Sequence, residues 1–180
     1  KEKHVAVHAH GGEGFRLSME EGVDTIEHGS LFGEEEIEIM EGSDRYLVGN
    51  FAIFFHPEGI EKGDSDNPSI INKLLEARKG RKEVWASILE SDINVTIGTD
   101  SMHGYMYYEI EKLNGFGATP EKAINAATID AAKCVRMEDK VGSIEKDKYA
   151  DFIILKKNPI EEIQTLKEPL AVFKDGKKIS

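Results

Sequence analysis

Four times along this chain a short apolar segment ends in a polar residue near a glycine and gives way to a helical pattern. That repeat constrains the fold more than any other feature. The segments are Val5-Ala6-Val7-His8-Ala9 before Gly11-Gly12, Val23 to His28 before Gly29, Tyr46 to Asn50 with its extension to Phe54, and Asn94 to Ile97 before Gly98-Thr99-Asp100. Helical patterns fill the gaps. One is expected at 13–21 with Gly22 as its C-cap, and an acidic one over 34–40. Asn67-Pro68 opens the longest, with Ile70, Ile71, Leu74, Leu75, Val84, Trp85, Ile88 and Leu89 on one face and only Gly80 interrupting it. Thr119-Pro120-Glu121 caps a fourth, reaching about Arg136. The polar, glycine-containing stretch from His56 to Asp66 reads as a loop long enough to cover something.

Strands that are short and apolar and alternate with helices predict an α/β fold: a parallel sheet with helical crossovers, half of a (β/α)8 barrel. The last stretch differs. Tyr149 to Leu155 and Leu170 to Lys174 are β-like, and Asp175-Gly176 is a hairpin signal. Half a barrel would leave two sheet edges unpaired, an opening for self-association into a homo-oligomer.

Composition narrows the partners. Lys+Arg 23 against Asp+Glu 34 gives a net charge of −11, which repels phosphate backbones, so nucleic acid is not expected. No apolar run approaches the roughly 18–20 residues needed to cross a bilayer, and Lys1 to Val7 carries no secretory stretch; a cytoplasmic, membrane-free protein is the expectation. The single Cys134 excludes a disulfide framework and a cysteine-rich metal site, and in its Ala-rich helix it reads as a small buried hydrophobe. Any metal must be held by His and carboxylates.

In barrels of this type the reactive side chains sit at the C-terminal ends of strands. Here those ends carry His8, His28 and Asp100. Imidazole and carboxylate donors without cysteine suit Zn²⁺, and also Mn²⁺ or another divalent ion in a mixed site. Taken singly, each has a plain structural reading, a hydrogen-bonded histidine or a turn-capping aspartate. Their shared position at the same end of the same kind of strand favours a site. His10 faces the same way as His8, because side chains alternate along a strand, and competes with it as a ligand. Gly11-Gly12-Glu13-Gly14 lacks the Gly-Lys-Ser/Thr ending of a phosphate loop. The acidic run Glu34 to Glu38 reads as a solvated helix face, and Tyr105, Tyr107 and Tyr108 either line a pocket or pack a helix.

Val-Ala-Val-His-Ala-His-Gly at 5–11, Gly-Val-Asp-Thr-Ile-Glu-His-Gly at 22–29, Ile-Gly-Thr-Asp at 97–100 and Ala-Asp-Phe-Ile-Ile-Leu at 150–155 resemble the amidohydrolase superfamily. Within it the likeness is to the imidazolonepropionase-like branch that includes metal-dependent Xaa-Pro and related dipeptidases. It implies that residues 1–147 hold barrel strands five to eight with their helices, and that residues 148–180 are the segment completing a small β-sandwich. By the same resemblance His8 and His28 bind the more exposed metal and Asp100 the more buried one. Asp100 also relays the proton from water to the leaving amine. His8 is preferred over His10 because the family's strand-five ligand follows a short apolar run and precedes a small residue. His10 and His103 then become substrate-side groups. The implied cofactor is one or two divalent ions, Zn²⁺ before Mn²⁺, and the implied substrate a dipeptide or cyclic amide.

The pattern departs from the family in two places. No His-x-His pair precedes His8, and no strand-four lysine that would bridge two metals is present. The chain therefore resembles the C-terminal half of a larger enzyme, with three of the expected ligands. Two other readings stay open: deamination or cyclic-amide hydrolysis by the same superfamily, and an inactive half-barrel. Deaminases of the cytosine type carry a Glu shortly after the strand-five His, and Glu13 stands too far along for that role.

Overall fold

The computed structural model describes residues 3–63 and 66–180. Lys1 and Glu2, and Asp64 and Ser65 within the expected 56–66 loop, lie outside the described residues.

Each of the four expected segments is a strand. β1 (Ala6–Ala9), β2 (Thr25–His28), β3 (Tyr46–Gly49) and β4 (Asn94–Ile97) lie side by side in chain order, all parallel, with β1 and β4 at the edges. The fold is thus α/β, the C-terminal half of a (β/α)8 barrel. Register sets Val7, Ile26, Leu47 and Val95 in one row across the sheet and His8, Glu27, Val48 and Thr96 in the next. Because successive side chains point to opposite faces, the two rows do different work.

The first row meets the helices. Ile26 and Leu47 are fully buried, in one core with Phe15 of α1 (Gly12–Glu20), Met40 of α2 (Glu34–Met40), and Trp85 and Ile88 of α6 (Arg81–Glu90). Each such side chain stabilises the fold by about 1.5–3 kcal/mol. The second row faces the barrel interior, where Ala6 and His8 are exposed. Over the β4 end of that face the Thr96 hydroxyl donates to the Ala126 carbonyl at 2.6 Å.

Three expected elements divide. β3 stops at Gly49 and the chain turns into the short helix α3 (Ala52–Phe55), because a buried carboxylate, Glu109, accepts the N–H groups of Phe51 and Ala52 at 2.5 and 2.8 Å. Those are N–H groups at a helix start, which lack partners inside the helix. The longest helix breaks at Gly80, whose φ of 65° restarts the chain, giving α5 (Pro68–Arg78) and then α6. The fourth splits at Thr128, which leaves helical dihedrals, into α8 (Pro120–Ala126) and α9 (Ile129–Cys134). α4 (Ile60–Gly63) occupies part of the expected loop, and α7 (Met106–Gly115) follows β4.

The caps are those the sequence announced. The Asn67 side chain accepts from the Ser69 and Ile70 N–H groups, and Thr119 from that of Lys122. At the C-terminal end β5 (Phe152–Ile154), β6 (Ala171–Lys174) and β7 (Lys177–Lys178) form an antiparallel sheet in which the Phe152 and Phe173 rings stack at 4.5 Å. Asp175 and Gly176, both at positive φ, make its hairpin turn. No helix among the described residues is long and apolar enough to cross a membrane.

Candidate metal centre

His8 lies on β1, His10 just past its end, and His28 at the last position of β2. The three rings converge. His8 and His28 stand 4.5 Å apart between centroids, His8 and His10 4.7 Å, and His10 and His28 5.2 Å. His8 and His10 thus project to the same side, as strand alternation requires.

The three imidazoles differ in what holds them. His10 Nδ1 pairs with the Ser30 hydroxyl at 2.9 Å, which fixes its ring and leaves Nε2 turned elsewhere. His28 is buried, and its Nδ1 has no hydrogen-bond partner. Burial, then the neighbouring His8 and His10, push His28 down to about 4, so it is neutral at pH 7. Burial lowers His10 too, with His8 and Arg81 adding to the effect. Neutral imidazoles are the form that ligates metals.

Asp100 stands apart from this group. It lies three residues beyond β4, exposed, at φ 51°; its charge nevertheless acts on both His28 and Glu27. His28 has φ 83°. Non-glycine residues in the left-handed region are uncommon and concentrate at functional sites. Glu27, paired in register with His8, is raised by burial against the lowering effect of its hydrogen bond with Thr25.

Among the described residues no group of three or more His, Cys, Asp or Glu is gathered tightly enough to hold a metal ion by itself. The histidines nevertheless fit a share of one. A buried nitrogen without a partner, on a neutral ring 4.5 Å from another imidazole, is the donor chemistry that a divalent ion such as Zn²⁺ takes. Asp100, in the turn after β4, is the carboxylate whose charge acts on His28.

Other groups at this end of the sheet carry no motif. Asn50, just after β3, donates from Nδ2 to the Gly98 carbonyl at 3.1 Å and so ties the chain before Asp100 to β3; its buried Oδ1 has no partner. Arg81 is buried, with none of its guanidinium nitrogens hydrogen-bonded, and lies 4.6 Å over the Phe54 ring. Burial lowers it to about 10. One signal pointed to it: a cation on the first residue of a helix opposes the helix dipole. Burial likewise lifts Glu109 to about 7 despite its two N–H donors.

The remaining candidates divide. His103 is exposed in the turn after Asp100, and among the described residues its ring makes none of the contacts that join the other three. Tyr105 and Tyr108 pack on the ring of His56 at 4.3 and 4.9 Å. Cys134 is buried, and its thiol is pushed up to about 11. The acidic run is only partly a solvated face. Glu36 is buried and accepts from Gly12 N–H at 3.0 Å and Gly33 N–H at 2.9 Å, joining the starts of α1 and α2.

Against known proteins, residues 1–179 match the family described as the amidohydrolase family. Ochratoxinase of Aspergillus niger is 27% identical over 187 residues, covering 96% of this chain and 37% of that enzyme. An adenine deaminase of Desulforamulus reducens is 32% identical over 94 residues, 48% of this chain and 15% of its own length. Among solved structures, a Xaa-Pro dipeptidase with methionine bound in its active site superposes with a TM-score of 0.86 at 35% identity, over 98% of this chain and 45% of the dipeptidase. The chain thus spans less than half the length of these relatives. Strand order, the histidines at the strand ends and the match along nearly the whole chain together show that it belongs to the amidohydrolase family.

Proposed function

We propose that this chain serves a metal-dependent hydrolase of amide bonds, with small dipeptide-type substrates. The observation that carries the reading is the convergence of His8, His10 and His28 at the C-terminal ends of adjacent parallel strands, with His28 Nδ1 buried and unpartnered. The names of the relatives agree with it, one being an ochratoxinase and another a Xaa-Pro dipeptidase.

In this reading His8 and His28 are imidazole ligands and Asp100 is a carboxylate ligand, for Zn²⁺ first and Mn²⁺ second. A divalent ion held by these residues would supply Lewis acidity, lowering the pKa of water toward about 7 and polarising the scissile carbonyl. Asp100 takes the proton from the attacking water and returns it to the departing amine. His10, held by Ser30, and His103 in the following turn orient the substrate. Residues 1–147 carry this chemistry, and residues 148–180 form the adjoining β-sandwich segment.

The test is an amine-release assay on a dipeptide panel with the intact protein and Asp100→Asn. Loss of at least about 100-fold in kcat is expected, the scale of general acid–base catalysis. Unchanged turnover in Asp100→Asn overturns its role. The partial likeness to an adenine deaminase favours a second reading, deamination or cyclic-amide hydrolysis. Ammonia release from adenine, with no amine released from any dipeptide, would establish that one instead.

A further inference from the structure

A cavity of about 570 Å³ opens beside the imidazoles, within the ~300–1,000 Å³ of small-molecule pockets. Its apolar walls are Leu31, Phe54, Ile60, Ile70, Leu74 and Ala77, and its polar lining includes His10 and Ser30 at the end nearer the imidazoles and Asn72, Lys73 and Glu76 along α5. Phe54 belongs to both places. Its ring meets those of His10 and His28 edge-on at 6.3 and 5.9 Å. Anything filling the cavity therefore lies against His10, and the Phe54 wall separates it from His28.

The lining also states what would fill it. Its charged members, Lys73 and Glu76, are of opposite sign and both exposed, so they offer no net charge to a ligand. Water entering among Leu, Ile and Phe side chains lacks the two to four polar partners that hold buried water. Leu31 is 66% exposed although large and apolar, which leaves hydrophobic surface at the cavity waiting for cover.

We propose that this cavity receives a bulky apolar side chain, aromatic or branched, of the amide substrate. The inference rests on the amide-hydrolase reading and deepens it. Uncharged, bulky side chains are selected because each methylene placed on such walls gains about 10-fold or more in discrimination.

Two measurements on the intact protein test it: kcat/KM for Gly-Phe, Phe-Gly and Gly-Gly, and calorimetric binding of N-acetyl-phenylalaninamide against N-acetylglycinamide. Ala77→Phe fills the cavity, and Leu31→Asp places a charge at an exposed position that folding tolerates. At least about 100-fold preference for one phenylalanine dipeptide over Gly-Gly is expected in the native protein, falling below about tenfold in both variants. Hydrolysis of all three dipeptides at similar rates, or a preference that both variants keep, overturns the cavity assignment and leaves the hydrolase reading standing. If no dipeptide is cleaved but the aromatic amide binds the native protein and neither variant, the reaction is wrong and the cavity assignment holds. No cleavage and no binding overturns both.

Discussion

His28 keeps a histidine where the backbone favours glycine. At φ 83° a Cβ costs on the order of 1 kcal/mol that glycine avoids, so the side chain is held there against its own backbone. The expected consequence is an inversion of the usual order. His28→Gly should be more stable to urea than His28→Ala by about 1 kcal/mol, although glycine normally weakens a strand. Equal stability, or alanine ahead, would show that position 28 carries no left-handed strain. Cys134 gives a second prediction. With its thiol pushed up to about 11, roughly a thousandth is thiolate at pH 8, so iodoacetamide should modify the folded protein at least about 100-fold more slowly than the urea-unfolded chain. Rapid stoichiometric labelling of the folded state would contradict the burial. The sequence showed His8, His28 and Cys134 because a polar residue ending an apolar run, or a lone thiol in an alanine-rich helix, is a local signal. Glu109 and Arg81 gave almost none. The partners of Glu109 are Phe51 and Ala52, 58 and 57 positions away, and no local pattern reports them.

At the level of elements, Glu109 joins α7 to the start of α3 and so fixes how the chain leaves β3. Glu109→Ala strands two buried N–H groups at once, each costing about 1–3 kcal/mol, and should destabilise the fold by about 3 kcal/mol in urea titration. A loss under about 0.5 kcal/mol would mean the two bonds contribute nothing beyond solvation. The same carboxyl makes stability depend on pH. Its folded value of about 7 lies above the ordinary 4.5, so the folded state holds the proton more tightly. Its stabilising effect is complete below pH 4.5 and is lost as pH rises through 7. Glu109→Gln should flatten that arm of the profile of Tm against pH, and an unchanged slope would assign it to other groups. The strands, the Asn67 and Thr119 caps and the Asp175-Gly176 hairpin were legible because each is written in a few adjacent residues. The break at Gly80 was written in the sequence as the one interruption of the apolar face, whereas the division at Thr128 was not, since the alanine-rich pattern runs across it.

For the whole molecule, four βα units in order place His8, His28 and Asp100 toward one end of one sheet, and this architecture followed from the repeat of strand, polar end and glycine. What the repeat could not convey is distance. The histidines come within 5.2 Å of one another, whereas Asp100 stays exposed beyond β4 and bears on His28 through its charge. The apolar cavity was equally hidden, being walled by Leu31, Phe54 and α5 residues with no common motif. Whether the paired imidazoles hold a divalent ion is read out by elemental analysis. The protein and its His28→Ala variant would be passed through gel filtration without chelator and their metal content measured per chain. Near one or more Zn²⁺ or Mn²⁺ per chain is expected in the native protein, with a clear loss in the variant. Absence of metal from the native protein, or equal content in both, would contradict ligation by the imidazoles.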